Sequence, residues 1–242
     1  LMTKEEYYEL ILQSRKLASD PEVLKEKTPL EYRLYVRERD QQLKEGSNIE
    51  IRRLTPELAE DYVHFFDTTP HDTGVDEHKC YCVCWCSDDC EGKDFSTREK
   101  RRALALQYVK GGSIQGYLAY SGGRVVGWCN ANNKADCLKC VSWRRFMKHV
   151  PVEDPESGIK VKSVFCFTIA PDMKRKGIAT SLLDRVCKDA AAEGFDFVEA
   201  YPYHGGSYQS SDFGGYVEMY KKCGFHVYLE KDQGLIMRKS LR

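Results

Sequence analysis

The chain has 242 residues, of which 42% are apolar, so it can bury a sizeable core and fits one domain of about 190 residues plus an extension. Its 37 basic and 37 acidic side chains balance, which argues against a dominant electrostatic grip on nucleic acid or an anionic membrane. No apolar run approaches the ~20 residues that span a bilayer, and the charged, helix-patterned N-terminus does not read as a secretory signal. Leu1 ahead of Met2 reads as a cloning remnant. The eleven cysteines are then expected as thiols in a reducing, cytoplasmic compartment and not as a disulfide framework.

Taken in order, Thr3 to Ser19 carries a capping box (Thr3 with Glu6) and a helical apolar stripe, ended by Asp20-Pro21. Thr28-Pro29-Leu30-Glu31 starts a second helix that stops near Gly46. Residues 1–47 are therefore expected to form a helical extension, for packing or as the arm of a homodimer, ahead of a domain at 48–242. Ile49 to Leu54 alternates like a half-exposed strand, and Thr55-Pro56 opens a helix with Leu58, Tyr62, Phe65 and Phe66 on its apolar side. Residues 67–95 are polar, acidic and rich in cysteine. Cys80, Cys82, Cys84 and Cys86 alternate with Tyr81, Val83 and Trp85, which in an extended chain puts the four thiols on one face. Ser96 with Glu99 starts another helix, running to about Lys110. Gly116–Tyr120 and Arg124–Cys129 form a hairpin around Gly122-Gly123. A short helix is expected around Ser142 to His149.

The most informative stretch is 160–185. The β-branched run from Val161 to Ile169 is cut by Ala170-Pro171. A basic, glycine-containing turn follows, Lys174-Arg175-Lys176-Gly177-Ile178-Ala179, and a helix runs on to about Ala192. A strand delivered into a helix N-terminus leaves backbone N–H groups unpaired at the positive end of the helix dipole, which makes an anion site. Phe195 to Tyr201 reads as a strand and Tyr216 to Cys223 as a short helix ending at Gly224-Phe225. His226–Leu229 and Leu235–Arg238 read as a closing hairpin.

The turn resembles the coenzyme-A motif of the GNAT N-acetyltransferases, Gln/Arg-x-x-Gly-x-Gly/Ala, with Lys174 at the Gln/Arg position. Met219-Tyr220-Lys221-Lys222-Cys223-Gly224-Phe225 resembles the same family's aromatic-Tyr-x-x-x-Gly-Phe ending, with Met219 departing from the aromatic position. The element order from residue 48 onward also matches. The resemblance implies an α+β fold, an α/β/α sandwich around a mixed, mostly antiparallel sheet, and an acetyl-CoA-dependent N-acetyltransferase. It further implies that the strand before the turn splays from its neighbour, so that the backbone of Phe167, Thr168 and Ile169 pairs with pantetheine. The pyrophosphate would then sit on Lys174, Arg175, Lys176, Gly177, Ile178, Ala179 and Thr180. Tyr220 is the implied acid for the departing thiolate, although a phenol near pKa ~10 does this only with help from geometry. A backbone N–H near Ile169 would meet the developing oxyanion.

An amine near pKa ~10 must lose a proton before it attacks. Histone-acetylating relatives hold a Glu where this chain has Ser163, so Glu199 on the following strand is the nearest candidate base, with His204 and Asp212 behind it. The acidic residues Asp72, Asp76, Glu77, Asp88, Asp89 and Glu91 suit either a cationic acceptor or a solvated loop, and Tyr201, Tyr203 and Tyr208 either line an acceptor pocket or pack. Cys82, Cys84, Cys86 and Cys90 with Cys137 and Cys140 would supply thiolates for zinc, but Cys-x-Cys spacing is not diagnostic and a row of small thiols beside the substrate loop is the favoured reading. The function expected is acetyl transfer from acetyl-CoA to a small-molecule amine by direct attack. The alternatives are a coenzyme-binding module without turnover and a zinc- or redox-responsive thiol protein.

Overall fold

The computed structural model describes residues 49–70, 75–202, 213–231 and 234–242. The expected extension at 1–47 lies outside these residues, as do Asp72, Tyr203, His204, Tyr208 and Asp212. One structural unit runs from Ile49 to Arg242.

Strand β1 (Glu50–Arg53) leads through Thr55 and a three-residue 3-10 turn at Pro56–Leu58 into helix α1 (Ala59–Thr68). The buried face of α1 holds Tyr62, Val63, Phe65 and Phe66. Helix α2 (Arg98–Lys110) is capped by Thr97, whose side chain accepts from the Lys100 amide at 3.3 Å. The cap thus falls one residue after the expected Ser96, whose amide instead donates to Asp94. Strands β2 (Gly116–Ser121) and β3 (Arg124–Asn133) turn at Gly122 (φ 55°) and Gly123 (φ 78°), the paired positive φ values that a tight hairpin needs. β3 runs four residues past the expected Cys129. There follow α3 (Val141–Phe146), β4 (Val161–Ile169), α4 (Ile178–Ala192), β5 (Phe197–Ala200), α5 (Val217–Lys222), β6 (His226–Lys231) and β7 (Gly234–Ser240).

The seven strands make one sheet in the order β1-β2-β3-β4-β5-β7-β6. Only β4 and β5 are parallel; every other neighbour is antiparallel. Two adjacent residues of β3 fix the layers, because neighbouring side chains on a strand point to opposite faces. Trp128 meets Tyr62 of α1 edge-on at 4.8 Å, whereas a side chain at Gly127 would meet Ile178 of α4. Helices therefore cover both faces, and the central strand β4 is buried from Val161 to Phe167, as a doubly covered strand must be. The fold is the expected α+β sandwich with a mixed, mostly antiparallel sheet.

The cysteine segment departs from expectation. Residues 81–88 are turns and bends, not an extended strand, with Tyr81 at φ 48° and Cys82 at φ 50°. Tyr62 Oη donates to the Tyr81 carbonyl, the Tyr81 hydroxyl to Asp67, and Trp128 Nε1 to Cys82 Sγ. Tyr81 and Val83 are buried together with Cys82 and Cys86, so both sides of the alternation point into packed surroundings and no four-thiol face forms. Among the described residues, no group of three or more Cys, His, Asp or Glu is placed to hold a metal ion.

Candidate functional site

The site begins with a break in the sheet. β4 pairs with β5 only from Val161↔Phe197 to Val164↔Ala200. On its other side the register with β3 jumps from Ala131↔Val164 to Asn130↔Cys166, which leaves Phe165 as the extra residue of a β-bulge. A bulge bends its strand and increases the local twist, so β4 leaves β5 where pairing stops. Beyond it, the Phe167 amide points away from β3 and donates to the Phe213 carbonyl at 2.7 Å. Both backbone groups of a strand residue face the same neighbour. Phe167 and Ile169 therefore turn their peptide groups to the open side, while Thr168 spends its own on β3 opposite Trp128. Of the three residues expected to offer backbone groups, Ile169 does so and Phe167 does so through its carbonyl alone, its amide being held by Phe213; Thr168 contributes its side chain.

The second component is the start of α4. Gly177 is its N-cap at φ 79°, no side chain caps it, and its first turn carries no acidic residue. The first helical bond, from the Ser181 amide to the Gly177 carbonyl, leaves the amides of Ile178, Ala179 and Thr180 without an intrahelical acceptor. A Cβ built on Gly177 would meet nothing within 4 Å, so glycine serves the backbone angle here and leaves the approach to those amides open.

Gly127 holds the two components together. A Cβ there would lie 2.9 Å from Ile169 Cδ1 and 3.0 Å from Ile178 Cγ2, so its absence lets the end of β4 and the start of α4 close on β3. A lone glycine inside a strand pattern marks such an approach, and that signal was available in the sequence without being used. Gly127→Val is expected to cost about 1–3 kcal/mol in a urea melt, the range for overpacking, and to lower affinity for coenzyme A as the α4 terminus shifts.

Strand end and helix start open on one cavity of about 500 Å³. Its wall includes Phe167, Thr168, Ile169, Lys174, Arg175, Gly177, Ile178, Ala179 and Thr180. Lys176 is not in the wall; its ammonium lies 3.6 Å from Met173 Sδ. Sequence reading missed the opposite side, where Phe66, Thr69, Lys79, Cys80, Phe213, Tyr216 and Met219 complete the enclosure. The Gly214-Gly215 pair was the available signal for the turn that brings in Phe213 and Tyr216, and Gly215 has φ 83°. The charged side chains in the described wall are all cationic: Lys79, Lys174 and Arg175. Such a cavity accepts an anionic group at the helix start and an extended amide chain along the strand.

Tyr220 is fully buried behind this wall, its hydroxyl donating to the Gly214 carbonyl at 2.7 Å. Its ring packs on Phe225 and faces Phe167. Burial pushes the phenol well above its ordinary pKa, so the proton stays on Oη. Cys80, the thiol in the wall, is likewise pushed up, first by its bond with the Cys82 thiol and then by burial. It therefore stays neutral and makes a poor nucleophile.

Glu199 sits elsewhere. Its side chain is fully buried and accepts from Lys134 Nζ at 2.8 Å, from Tyr201 Oη at 2.8 Å and from Arg238 Nε. Glu153 closes the cluster against the same Lys134 and Arg238. Tyr201 also bonds Ser163 Oγ and stacks on Phe165, which makes it a packing residue. Four of the acidic residues of 67–95 are also engaged, nearer the surface. Asp76 pairs with Lys79, Glu77 accepts from the Arg98 amide, Asp88 from the Cys90 amide, and Asp89 pairs with Arg144. No carboxylate among the described residues contributes to the cavity wall.

A mixed sheet split at a bulge, with a glycine-led, uncapped helix beginning at the split, is the framework of a GNAT-type acyltransferase. The profile of the Acetyltransferase (GNAT) family matches residues 57–225, and the chain belongs to that family. Solved structures are similar to the chain at low identity. The PaiA N-acetyltransferase of Thermoplasma acidophilum, in complex with coenzyme A, is 17% identical and matches 80% of this chain and 99% of its own, with a TM-score of 0.46. An N-acetyltransferase of Staphylococcus aureus Mu50 is 15% identical over 81% and 99%, with a TM-score of 0.44. A GNAT-family acetyltransferase of Streptococcus pneumoniae is 14% identical over 80% and 99%, with a TM-score of 0.43. No curated protein matches the chain. Among the described residues, no helix is long and apolar enough to cross a membrane.

Proposed function

We propose that the protein is an acetyl-CoA-dependent N-acetyltransferase that acetylates a small-molecule amine by direct attack. The observation that carries this reading is the opening of one cavity onto both the splayed end of β4 and the uncapped start of α4. Acetyl-CoA supplies a thioester acyl group and a thiol leaving group. The amides of Ile178, Ala179 and Thr180, with Lys174 and Arg175, would hold its pyrophosphate at the positive end of the helix. The Phe167 carbonyl and the open peptide groups of Ile169 would align its pantetheine arm. Tyr220 would hold a proton at Oη behind the same wall, to be delivered to the leaving sulfur once the hydroxyl releases the Gly214 carbonyl. A neutral Cys80 favours direct transfer over an acyl-enzyme. Glu199, held by two cations, is assigned to structure, and the amine would lose its proton to water.

Turnover of acetyl-CoA with a panel of small amines tests the reaction; coenzyme binding without any turnover would leave a binding module instead. Tyr220→Phe tests the acid. Its maximal rate is expected to fall by about 10²-fold, the lower end for general acid catalysis, with coenzyme affinity within about twofold. The lost buried hydrogen bond costs only about 1 kcal/mol, so the variant should remain folded. An unchanged rate removes Tyr220 from the mechanism.

A further inference from the structure

Cys86 and Cys90 lie outside the cavity, with their sulfurs 3.6 Å apart in the interior. The contact is local: the two residues are four apart, in a bent segment where Cys90 adopts φ 61° and its amide is held by the Asp88 carboxylate. Two features suit the pair to thiol chemistry. First, it is reachable. Cys90 forms part of the wall of an open hollow of about 310 Å³, together with Asp89, Glu91, Val141, Arg144 and Arg145. Second, the Cys90 sulfur is fixed in place, 3.6 Å from the Cys86 sulfur and 3.4 Å from the Asp88 carbonyl, to which its thiol donates. The Cys86 thiol, the Val141 amide and the Tyr108 hydroxyl all favour its thiolate and outweigh burial, holding the thiol below its usual range. The Tyr108 hydroxyl is buried with no hydrogen-bond partner among the described residues. The Cys80 and Cys82 thiols, by contrast, are pushed well above the ordinary value.

We propose that Cys86 and Cys90 form a redox-active dithiol that exchanges with low-molecular-weight disulfides. The Cys90 thiolate attacks one sulfur of the external disulfide, giving a mixed disulfide and releasing one small thiolate. Cys86 then loses its proton and attacks the Cys90 sulfur, forming the Cys86–Cys90 bond and releasing the second small thiol. The two electrons leave with the external disulfide, which is reduced to two thiols. The Cys90 thiolate, which borders the open hollow, is the attacking group, and the enclosed neighbour resolves it. The inference does not depend on the acetyl-transfer reading.

The test uses the full chain and oxidised glutathione, followed by alkylation of the remaining thiols and peptide mass spectrometry. The expected result is the loss of two of the eleven thiols and a peptide two hydrogens lighter, bridging Cys86 and Cys90, that dithiothreitol restores. Cys86→Ser should trap a glutathionyl adduct on Cys90, and Cys90→Ser should leave Cys86 unmodified. Bridging elsewhere, such as Cys80 to Cys82, or no bridge at all, overturns the proposal. A second measurement on the unaltered protein covers variants that do not fold: under limiting iodoacetamide, Cys90 should be labelled first. Labelling led by another cysteine overturns it as well.

Discussion

Gly177→Glu is expected to abolish coenzyme A binding while leaving the protein folded. The residue opens α4 with φ 79°, a conformation that costs a side chain about 1–2 kcal/mol. Space is not the obstacle, since a Cβ meets nothing within 4 Å. The decisive effect is chemical. A carboxylate at the N-cap can accept from the free amides of the first turn and neutralise the positive end of the helix. It would then occupy the site proposed for pyrophosphate and repel that group. Losing two charge-assisted hydrogen bonds at roughly 1.5–3 kcal/mol each corresponds to a fall in affinity on the order of 10²-fold or more. Gly177→Ala separates strain from charge and should lose stability with only a small change in affinity. Calorimetric titration with coenzyme A, alongside thermal melting, checks both. Normal affinity in a folded Gly177→Glu protein would move the coenzyme site away from this turn.

What could be read in advance follows the range of the interactions involved. Pro171, Gly177, and the Gly122-Gly123 pair act on their own backbone, and the element ends beside them sit within a residue or two of expectation. The splay of β4 was implied only through family likeness, because its cause, the bulge at Phe165, lies in the register between two strands. The alternation from Cys80 to Cys86 misled for a related reason. A period of two predicts a face only when one side of the segment meets water, and α1 and β3 bury both sides here. Thr168 shows the same limit at finer scale: its place in the motif was legible, but the direction of its peptide groups depends on pairing with β3. Gly127 was a readable signal, but its partners Ile169 and Ile178 are defined only by the packed fold.

Glu199 gives the sharpest test, since the sequence alone offered it as a base and its surroundings favour a structural role. Phe197-Val198-Glu199-Ala200 says nothing of Lys134 at the end of β3 or Arg238 on β7, and these two converge on its carboxylate. The Lys134 side chain is only 2% exposed. Glu199→Ala is therefore expected to destabilise the protein by about 3–5 kcal/mol, the cost of leaving a buried charge short of its partner. At roughly 2–4 °C per kcal/mol for a domain of this size, the melting temperature should fall by about 10 °C. Glu199→Gln keeps the shape and loses the charge, and should fall less. The rate per folded molecule should stay within about twofold in both. A Glu199→Gln protein that melts normally but loses turnover would restore Glu199 as the base. Lys134→Met combined with Glu199→Met offers a check from the opposite direction. If the pair is structural, removing both charges should recover much of the stability that either single change loses, because an apolar pair of similar volume leaves no stranded charge, whereas a missing base would gain nothing from the second substitution.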